Sequence, residues 1–565
     1  MKKISKLLII LFSTLVMSGF VSSYFEITKN LEIFNNVYRE INSYYVDPVD
    51  PGELMHSTID TMLKRLDPYT QYIPESEIED FRFQTTGDYG GVGATIRKVD
   101  QFVVIYEPYK NFPADKAGLK MGDILLEIDG KKIIDYSTEN VSELLKGTPG
   151  TNVEVKIKRW HNNSYDMREH TITREKIHVP SVPYSGIISG DIGYVKLKRF
   201  TKNCTQEVET ALDNIANEMF EDNGQDVPLS GLILDLRSNP GGLLNESINL
   251  SNLFIDKNEI VVTTNGKNVE WEKIYKTKKA PQYKDLPLVV LVNNASASAS
   301  EIVAGAIQDL DRGVIIGNKT YGKGLVQQSR KLSYNARLKV TVAKYYTPSG
   351  RCIQNVKHTK GYNSYLMKES SNDKDSLNDN RNTFVTRGGR TVYDGGGIDP
   401  DIKIDPIEYP EILIELVRKN HIFKFGNLIN GDIPEYNSTQ EFNLSDDHYN
   451  QFVNYLDTIG FEFASNHDDI INLIEVSLEE FDSEEFNLTG FHQNLDILKS
   501  NVDENKKNQL KTHKNIISER LEGNLITRLF YEQGRIENSL KDDIYVSEAI
   551  RVLKNKAEYK EILEP

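Results

Sequence analysis

Two unbroken apolar runs constrain this chain most: Gly231-Leu232-Ile233-Leu234-Asp235-Leu236 and Leu288-Val289-Val290-Leu291-Val292. A strand with one face in water alternates in polarity. A strand that is apolar at nearly every position is buried on both faces, as in a parallel sheet. Helical stripes follow the runs, such as Ile302, Val303, Ala306, Ile307 and Leu310 after the second. With the alternating segment at 192–197 ahead of them, the pattern from 192 to about 405 is that of an α/β core. The chain has 565 residues, which at about 100–200 per domain suggests three to five folding units.

The first unit reads as an address. Lys2, Lys3 and Lys6 precede an apolar run from Leu7 to Phe25, the layout of a secretory signal. Its candidate cleavage sites, Ser18-Gly19-Phe20 and Val21-Ser22-Ser23, contain no alanine, and the run is nearly long enough to span a bilayer. Residues 1–25 are therefore expected either to be removed or to stay as an inner-membrane anchor. In both cases the remaining chain lies outside the cytoplasm, in a periplasmic or membrane-anchored setting. Residues 26–86 carry two helical stripes, Leu31, Phe34, Tyr38, Ile41, Tyr45 and Met55, Ile59, Met62, Leu66, broken by Asp47-Pro48 and Asp50-Pro51. They are assigned to packing or oligomerisation.

Composition narrows the chemistry. The net charge of −16 argues against a nucleic-acid partner, which needs clustered cations. Two cysteines, Cys204 and Cys352, make neither a disulfide framework nor a thiolate metal site. No His-Glu-x-x-His motif occurs, so neither metal nor cofactor is expected.

Residues 87–176 change character. Gly90-Gly91-Val92-Gly93-Ala94-Thr95-Ile96 is a glycine-rich turn entering a strand. The run from Pro113 through Ala117-Gly118-Leu119, Gly122-Asp123-Ile124 and Ile128-Asp129-Gly130 reads as a short helix, a turn, a strand and a hairpin turn. A second helix at 141–145 and an alternating strand at 153–157 complete the unit. This pattern resembles a PDZ domain, which implies that the sheet edge takes a peptide's C-terminal strand. The free carboxylate would then rest on the amides of Gly91, Val92, Gly93 and Ala94, since successive amides form an anion nest.

Three core segments carry chemistry. Asn294-Ala295-Ser296-Ala297-Ser298-Ala299-Ser300-Glu301 joins the second buried strand to a helix, where a hydroxyl and unpaired amides meet the positive end of the helix dipole. Asp235-Leu236-Arg237-Ser238-Asn239-Pro240-Gly241-Gly242-Leu243 is a second strand-to-helix turn, suited to lending an amide to an oxyanion. Thr320-Tyr321-Gly322-Lys323-Gly324-Leu325-Val326-Gln327 sets a lysine between glycines. A lysine acts as a base only when neutral, so burial must lower its pKa.

Together these segments resemble the C-terminal processing peptidases, the tail-specific protease family of serine peptidases. The resemblance runs from Tyr38 to Asp405 and includes the Asp67-Pro68-Tyr69-Thr70 turn and Gly397-Ile398-Asp399-Pro400-Asp401. It implies an α/β multidomain chain: a helical N-terminal segment, the β-rich PDZ domain, a crotonase/ClpP-like α/β protease core at 177–406 and a helical C-terminal extension at 407–565. It implies Ser298 as nucleophile, Lys323 as general base and Gln327 as the residue that hydrogen-bonds and orients the lysine. The oxyanion donors are the amide of Ala299 and one of the Gly241-Gly242 pair, with Gly242 favoured. On residue type alone Ser296 and Ser300 remain alternatives to Ser298, and Glu301 reads as a structural, dipole-facing carboxylate.

The implied activity is a serine endopeptidase that recognises free C-terminal tails of exported proteins. Its implied partners are protein or peptide substrates, with a homo-oligomer or an adaptor protein as further candidates. A Ser-His-Asp triad fits less well, because no histidine lies between Ser298 and Lys323 and no Gly-x-Ser-x-Gly elbow surrounds the serines. The alternative function is a non-catalytic PDZ tail-binding chaperone or scaffold with a relic core. An acyl-thioester enzyme of the crotonase group is a third, set aside because that coenzyme belongs to the cytosol. The C-terminal extension, acidic and helical, shows no chemical constellation.

Overall fold

The computed structural model describes residues 24–161, 164–223, 228–355, 381–479 except 432, 435 and 464, and 489–564. Residues 1–23, on which the signal or anchor expectation falls, and most of the polar, turn-rich sequence at 355–382 lie outside them.

A six-stranded sheet forms the α/β core, in the order Tyr184–Ile188, Ile192–Lys196, Gly231–Asp235, Leu288–Val292, Val314–Gly317, Ile402–Lys403. Its first pair is antiparallel and all the others are parallel. The apolar runs divide by alternate residues. Leu232, Leu234, Leu288, Val290 and Val292 face the helices Cys204–Asn223, Leu244–Ser251 and Ala299–Asp309. Ile233, Val289 and Leu291 face the opposite way, onto Tyr545, Val546, Ala549, Val552 and Leu553 of the helix Ile544–Lys554.

The last helices of the chain are thus the second cover that a parallel sheet requires. Gly231 has no side chain because a Cβ there would lie 2.8 Å from Leu553 Cδ2. A polar latch adds to the apolar contact. Asp543, which caps the helix, pairs with Arg237 at 2.7 Å, and Arg237 also grips the fully buried Asp235. Burial works against the Asp235 carboxylate, but Lys196 and Arg237 outweigh it and hold its pKa well below the usual range.

A second sheet pairs Arg337–Tyr346 with Gln71–Ile73, Ile260–Gly266 and Leu325–Lys331. It joins the N-terminal segment to the loop carrying Lys323. The PDZ domain is a sheet of Ala94–Val99, Phe102–Pro108, Ile124–Ile128, Asn152–His161 and Ser164–Thr173, closed by the helix Thr138–Leu145. Asp129 and Gly130, at φ 48° and 74°, make the left-handed two-residue hairpin turn expected of Asp-Gly.

One local expectation needs correction. Gly90 and Gly91 belong to a strand, Asp88–Gly91, paired with Glu175–His178 where the PDZ domain meets the core. Gly90 is required there because a Cβ would sit 2.2 Å from the Gly147 carbonyl. The turn proper begins at Val92.

On the helix at 24–44 Leu31, Phe34 and Ile41 stay exposed, as does Tyr45 just beyond it, while Tyr38 is half-buried and donates its hydroxyl to the Pro51 carbonyl at 2.7 Å. Asp50 caps the next helix, Pro51–Lys64, by accepting from the Glu53 amide at 2.9 Å. The C-terminal region packs its own core, with Ile412, Leu416, Phe425, Phe452, Leu521 and Leu525 at its centre.

If the terminal helix is an integral cover of the sheet, Leu553→Ala should cost about 2–4 kcal/mol of protease-core stability. Urea unfolding followed by tryptophan-independent circular dichroism measures it; a loss below about 0.5 kcal/mol would mark the helix as an appendage.

Candidate active site

The strand Leu288–Val292 delivers the serine turn to the mouth of the helix Ala299–Asp309. Its three serines have different fates. Ser296 and Ser300 are fully buried, and their hydroxyls donate to the carbonyls of Leu236 (2.8 Å) and Asn239 (2.9 Å). Ser298 is only half-buried and adopts φ 55°, ψ −110°. That is a sparsely populated backbone for a residue with a Cβ, and costs about 1–3 kcal/mol where neighbours enforce it. A strained strand-to-helix turn of this kind thrusts a nucleophile outward even without the Gly-x-Ser-x-Gly sequence.

Asn239 enforces part of this geometry. Its carbonyl accepts from the Ala297 amide (3.0 Å) and the Ser300 hydroxyl, and its side chain bonds Leu197 O and the Gly241 amide at 2.9 Å each. The Asn-Pro-Gly-Gly turn is thereby tied to the serine turn. Gly241, at φ 96°, lies so close that a Cβ would meet Ser298 Cβ at 2.8 Å and the Ala299 amide nitrogen at 2.9 Å. Gly242 abuts Phe200 O, where a Cβ would come within 2.2 Å.

Glu301 was read from sequence as a structural carboxylate; the structure gives it a larger part. It is fully buried and accepts from the Ser298 amide (2.7 Å), the Thr320 hydroxyl (2.6 Å), the Gly322 amide (2.7 Å) and the Lys323 amide (2.9 Å). One of its oxygens takes both the Ser298 and Lys323 amides, so those nitrogens are no more than two hydrogen-bond lengths apart. Burial raises the Glu301 pKa, opposed by these four bonds. Tyr345 adds a second tie: its buried hydroxyl reaches the carbonyls of both Ser298 (3.3 Å) and Lys323. The available sequence signal was Ser298-x-x-Glu301, the spacing of a capping box.

Lys323 comes from a loop whose glycines are fixed by crowding. A Cβ on Gly322 would be 2.8 Å from Asn355 Cβ, and one on Gly324 would be 2.8 Å from the Gln354 amide nitrogen. Its Nζ lies 4.5 Å from the centre of the Tyr69 ring. Burial foremost, and then the charge of Lys339, lower its pKa to about 8, against the pull of Glu301 and Asp67. Among the described residues neither Lys323 nor Lys339 forms an ion pair. Tyr69 went unnoticed as a site residue because its turn lies 254 positions away in sequence from Lys323. Asp67 builds that turn by accepting from the amides of Tyr69 and Thr70 at 2.8 Å.

Gln327 is not placed as expected. Its Nε2 bonds Leu325 O (3.2 Å) and Thr341 Oγ1 (3.3 Å), not Lys323. A register shift between Val326 and Gln327 turns the side chain along the neighbouring strand.

In the PDZ domain, the carbonyls of Val92 and Gly93 accept from the amides of Ala114 (2.7 Å) and Tyr109 (2.9 Å). Gly93 holds φ 76°, and a Cβ would lie 2.6 Å from Phe112 Cβ.

Comparison with known proteins supplies the context. Residues 191–364 match the model of peptidase family S41, and residues 104–159 match a PDZ domain. Residues 412–553, silent to sequence reading, match the C-terminal helical domain of probable PDZ-proteases. A carboxy-terminal-processing protease of Bartonella bacilliformis is 36% identical over 329 residues, which is 58% of this chain and 73% of the relative. A probable CtpA-like serine protease of Staphylococcus aureus is 29% identical over 79% of this chain and 84% of its own. The solved photosystem II D1 C-terminal processing protease is 28% identical, covering 68% of this chain and 95% of its own at a TM-score of 0.32. The extent of the Bartonella match over both chains settles the assignment: this protein belongs to peptidase family S41, as a carboxy-terminal-processing serine protease with a PDZ domain.

Proposed function

We propose that this protease cleaves exported protein substrates recognised by their free C-termini, with Ser298 as nucleophile and Lys323 as general base. The observation that carries the reading is the strained backbone of Ser298, the one serine of its turn whose hydroxyl is not committed to a main-chain carbonyl. Strain of this kind persists only where surrounding contacts over-determine it, and Glu301 and Asn239 provide those contacts.

The chemistry follows. Neutral Lys323 takes the Ser298 proton, and the alkoxide attacks a peptide carbonyl. The developing oxyanion lies at the mouth of the helix, within reach of the Ala299 amide. The Gly241 amide already serves Asn239 Oδ1, which favours the Gly242 amide as second donor. The charged lysine then protonates the leaving amine, and water deacylates the enzyme by the same route. Gln327 acts at one remove, by holding Thr341 and the strand beside Lys323, rather than as a direct partner of the amine. Tail recognition belongs to the nest at Gly91, Val92, Gly93 and Ala94, and the leader places the enzyme outside the cytoplasm, anchored or released.

Purified protein incubated with an unfolded substrate, with free and amidated C-termini compared, tests recognition and reaction together. The free form should be cut faster, and Lys323→Ala should abolish cutting of both. Ser298→Ala should lower kcat on the order of 10⁴-fold or more. Ser296→Ala should stay within tenfold of the parent while losing about 1–2 kcal/mol of stability through the two lost bonds of its hydroxyl, to the Leu236 carbonyl and from the Asn293 amide. The reverse ranking would move the nucleophile to Ser296.

Since the base must be neutral, kcat/KM should rise with pH and level off above about 8, the value to which burial and Lys339 bring Lys323. Lys339→Met removes the like charge and should shift that limb to higher pH. A limb below pH 6 that ignores Lys339 would point to another base.

Any side chain at Gly93 must distort the nest. Gly93→Leu should therefore slow proteolysis of long substrates by tenfold or more, with cleavage of short peptides little changed. Equal loss on both would exclude the nest as the site of tail recognition.

A further inference from the structure

Among the described residues the Lys323 amine forms no ion pair; what meets it is the ring of Tyr69, whose centroid lies 4.5 Å from Nζ. Glu301 is taken up by the Ser298, Gly322 and Lys323 amides and the Thr320 hydroxyl. Tyr69 reaches the amine from far along the chain, and its turn is firmly tied. Asp67 accepts from the Tyr69 and Thr70 amides (2.8 Å each) and from the Thr70 hydroxyl (2.9 Å). Thr70 Oγ1 in turn accepts from the Thr341 amide (3.2 Å), and Gln71 pairs with Lys339 on the same strand, Arg337–Tyr346. That strand also pairs with Leu325–Lys331, which follows directly on the lysine loop. One sheet therefore holds both the loop of the amine and the ring that covers it.

We propose that Tyr69 serves the reaction by stabilising the Lys323 ammonium that forms when Ser298 is deprotonated, its ring face standing in for a carboxylate partner. This rests on the reading of Lys323 as the general base. As the Ser298 Oγ–H bond breaks and an Nζ–H bond forms, the oxygen carries its electron pair to the substrate carbonyl and a positive charge is left on the amine. Away from water, an uncompensated cation is strongly disfavoured. A carboxylate in contact would favour the charged form about tenfold to a thousandfold and keep the lysine protonated before substrate arrives. An aromatic face attracts the cation by only about two- to thirtyfold, which eases the transfer without protonating the resting base. The phenol itself stays neutral, since burial raises its pKa well above the ordinary value. The charged groups that act on the amine are Lys339 from the neighbouring strand, Glu301 from the helix Ala299–Asp309 and Asp67 from the turn of Tyr69. Tyr345 meets the Lys323 carbonyl, and Tyr321 lies beside the Tyr69 phenol. A substitution at Tyr69 replaces none of these groups.

The test compares the full-length parent with Tyr69→Leu, which keeps an apolar cover over the amine but removes the ring face, and with Tyr69→Phe, which keeps the ring. A fluorogenic peptide gives kcat/KM and kcat against pH. Without the ring the lysine is a weaker base. In Tyr69→Leu the rising limb should therefore move down by about 0.3–1.5 in pH, and the plateau kcat should fall about two- to tenfold. Tyr69→Phe should restore both. Circular dichroism checks folding, and Tyr69→Met replaces the leucine variant if that one does not fold. A second measurement reads the amine directly, in chains that also carry Ser298→Ala. Acetic anhydride labels Lys323 only when neutral, and mass spectrometry gives the pH of half-maximal labelling, which should fall as the limb does. A labelling midpoint that stays or moves up in Tyr69→Leu overturns the proposal and leaves the reading of the base intact, because the ring would then be only a barrier to water. A plateau that does not fall, or a Tyr69→Phe variant that behaves like Tyr69→Leu, overturns it as well. If the labelling midpoint falls while the activity limb stays, Lys323 is not the base; that reading fails, and the proposal fails with it.

Discussion

The candidate site depends on one buried carboxylate. Glu301 has no cationic partner among its hydrogen bonds; three main-chain amides and one hydroxyl satisfy it. In a low-dielectric interior such a group is stable only if every bond is made, because a half-satisfied buried charge costs several kcal/mol. The network is therefore all-or-none. Either the serine turn, the Thr320 hydroxyl and the lysine loop close on the carboxylate together, or none does. That cooperativity fixes the backbones of two segments from different strands beside each other, with the Ser298 and Lys323 amides on one carboxylate oxygen.

The same arrangement bears on the lysine's charge. A carboxylate paired directly with the Lys323 ammonium would hold it protonated near neutral pH. Glu301 instead engages the backbone amide of Lys323, so its attraction for the distant amine is the smaller effect. Burial and Lys339 prevail, and Tyr69 closes the side of the amine facing the N-terminal segment. The serine turn and the lysine loop are thus joined by main-chain bonds, while the electrostatics of the Lys323 side chain are left to burial.

Sequence reading succeeded where a local rule applied. Unbroken apolar runs mean a two-faced sheet, Asp129-Gly130 means a hairpin, and a serine cluster ahead of a helical stripe means a helix mouth. Choosing Ser298 over its neighbours required the resemblance, since its distinguishing mark is a backbone angle that composition does not encode. Tyr69, Tyr345 and the cover helix Ile544–Lys554 escaped because each reaches its partner across a long sequence separation. Glu301 was legible as a cap but not as a clamp: the capping spacing is local, whereas Thr320, Gly322 and Lys323 arrive from another strand. Gln327 illustrates the opposite error. A bulge re-aims one side chain without leaving any trace in the motif.

The PDZ domain is held to the rest of the chain in a different manner. Its contacts with the helical region include an apolar cluster of Val99, Val104, Met121 and Phe423, a stack of Tyr106 on Phe423 (5.4 Å), and polar bridges from Tyr531 to Asp115 (2.7 Å), from Lys424 to Asp100 (2.8 Å) and from Arg528 to the Met121 carbonyl (3.1 Å). Tyr531 breaks the helical dihedrals within Lys514–Ser539, at φ 59° and ψ −165°, and the next residue, Glu532, pairs with Lys198 of the core at 2.7 Å. Glu107 of the PDZ domain adjoins that pair, and burial together with Glu532 brings its pKa up to about 7. Small, polar contacts of this type resemble transient interfaces more than a shared core, and relative motion is the default expectation for domains joined by them. Rigidity in this protein is therefore concentrated around Glu301, and adjustability at the strands and bridges that carry the PDZ domain.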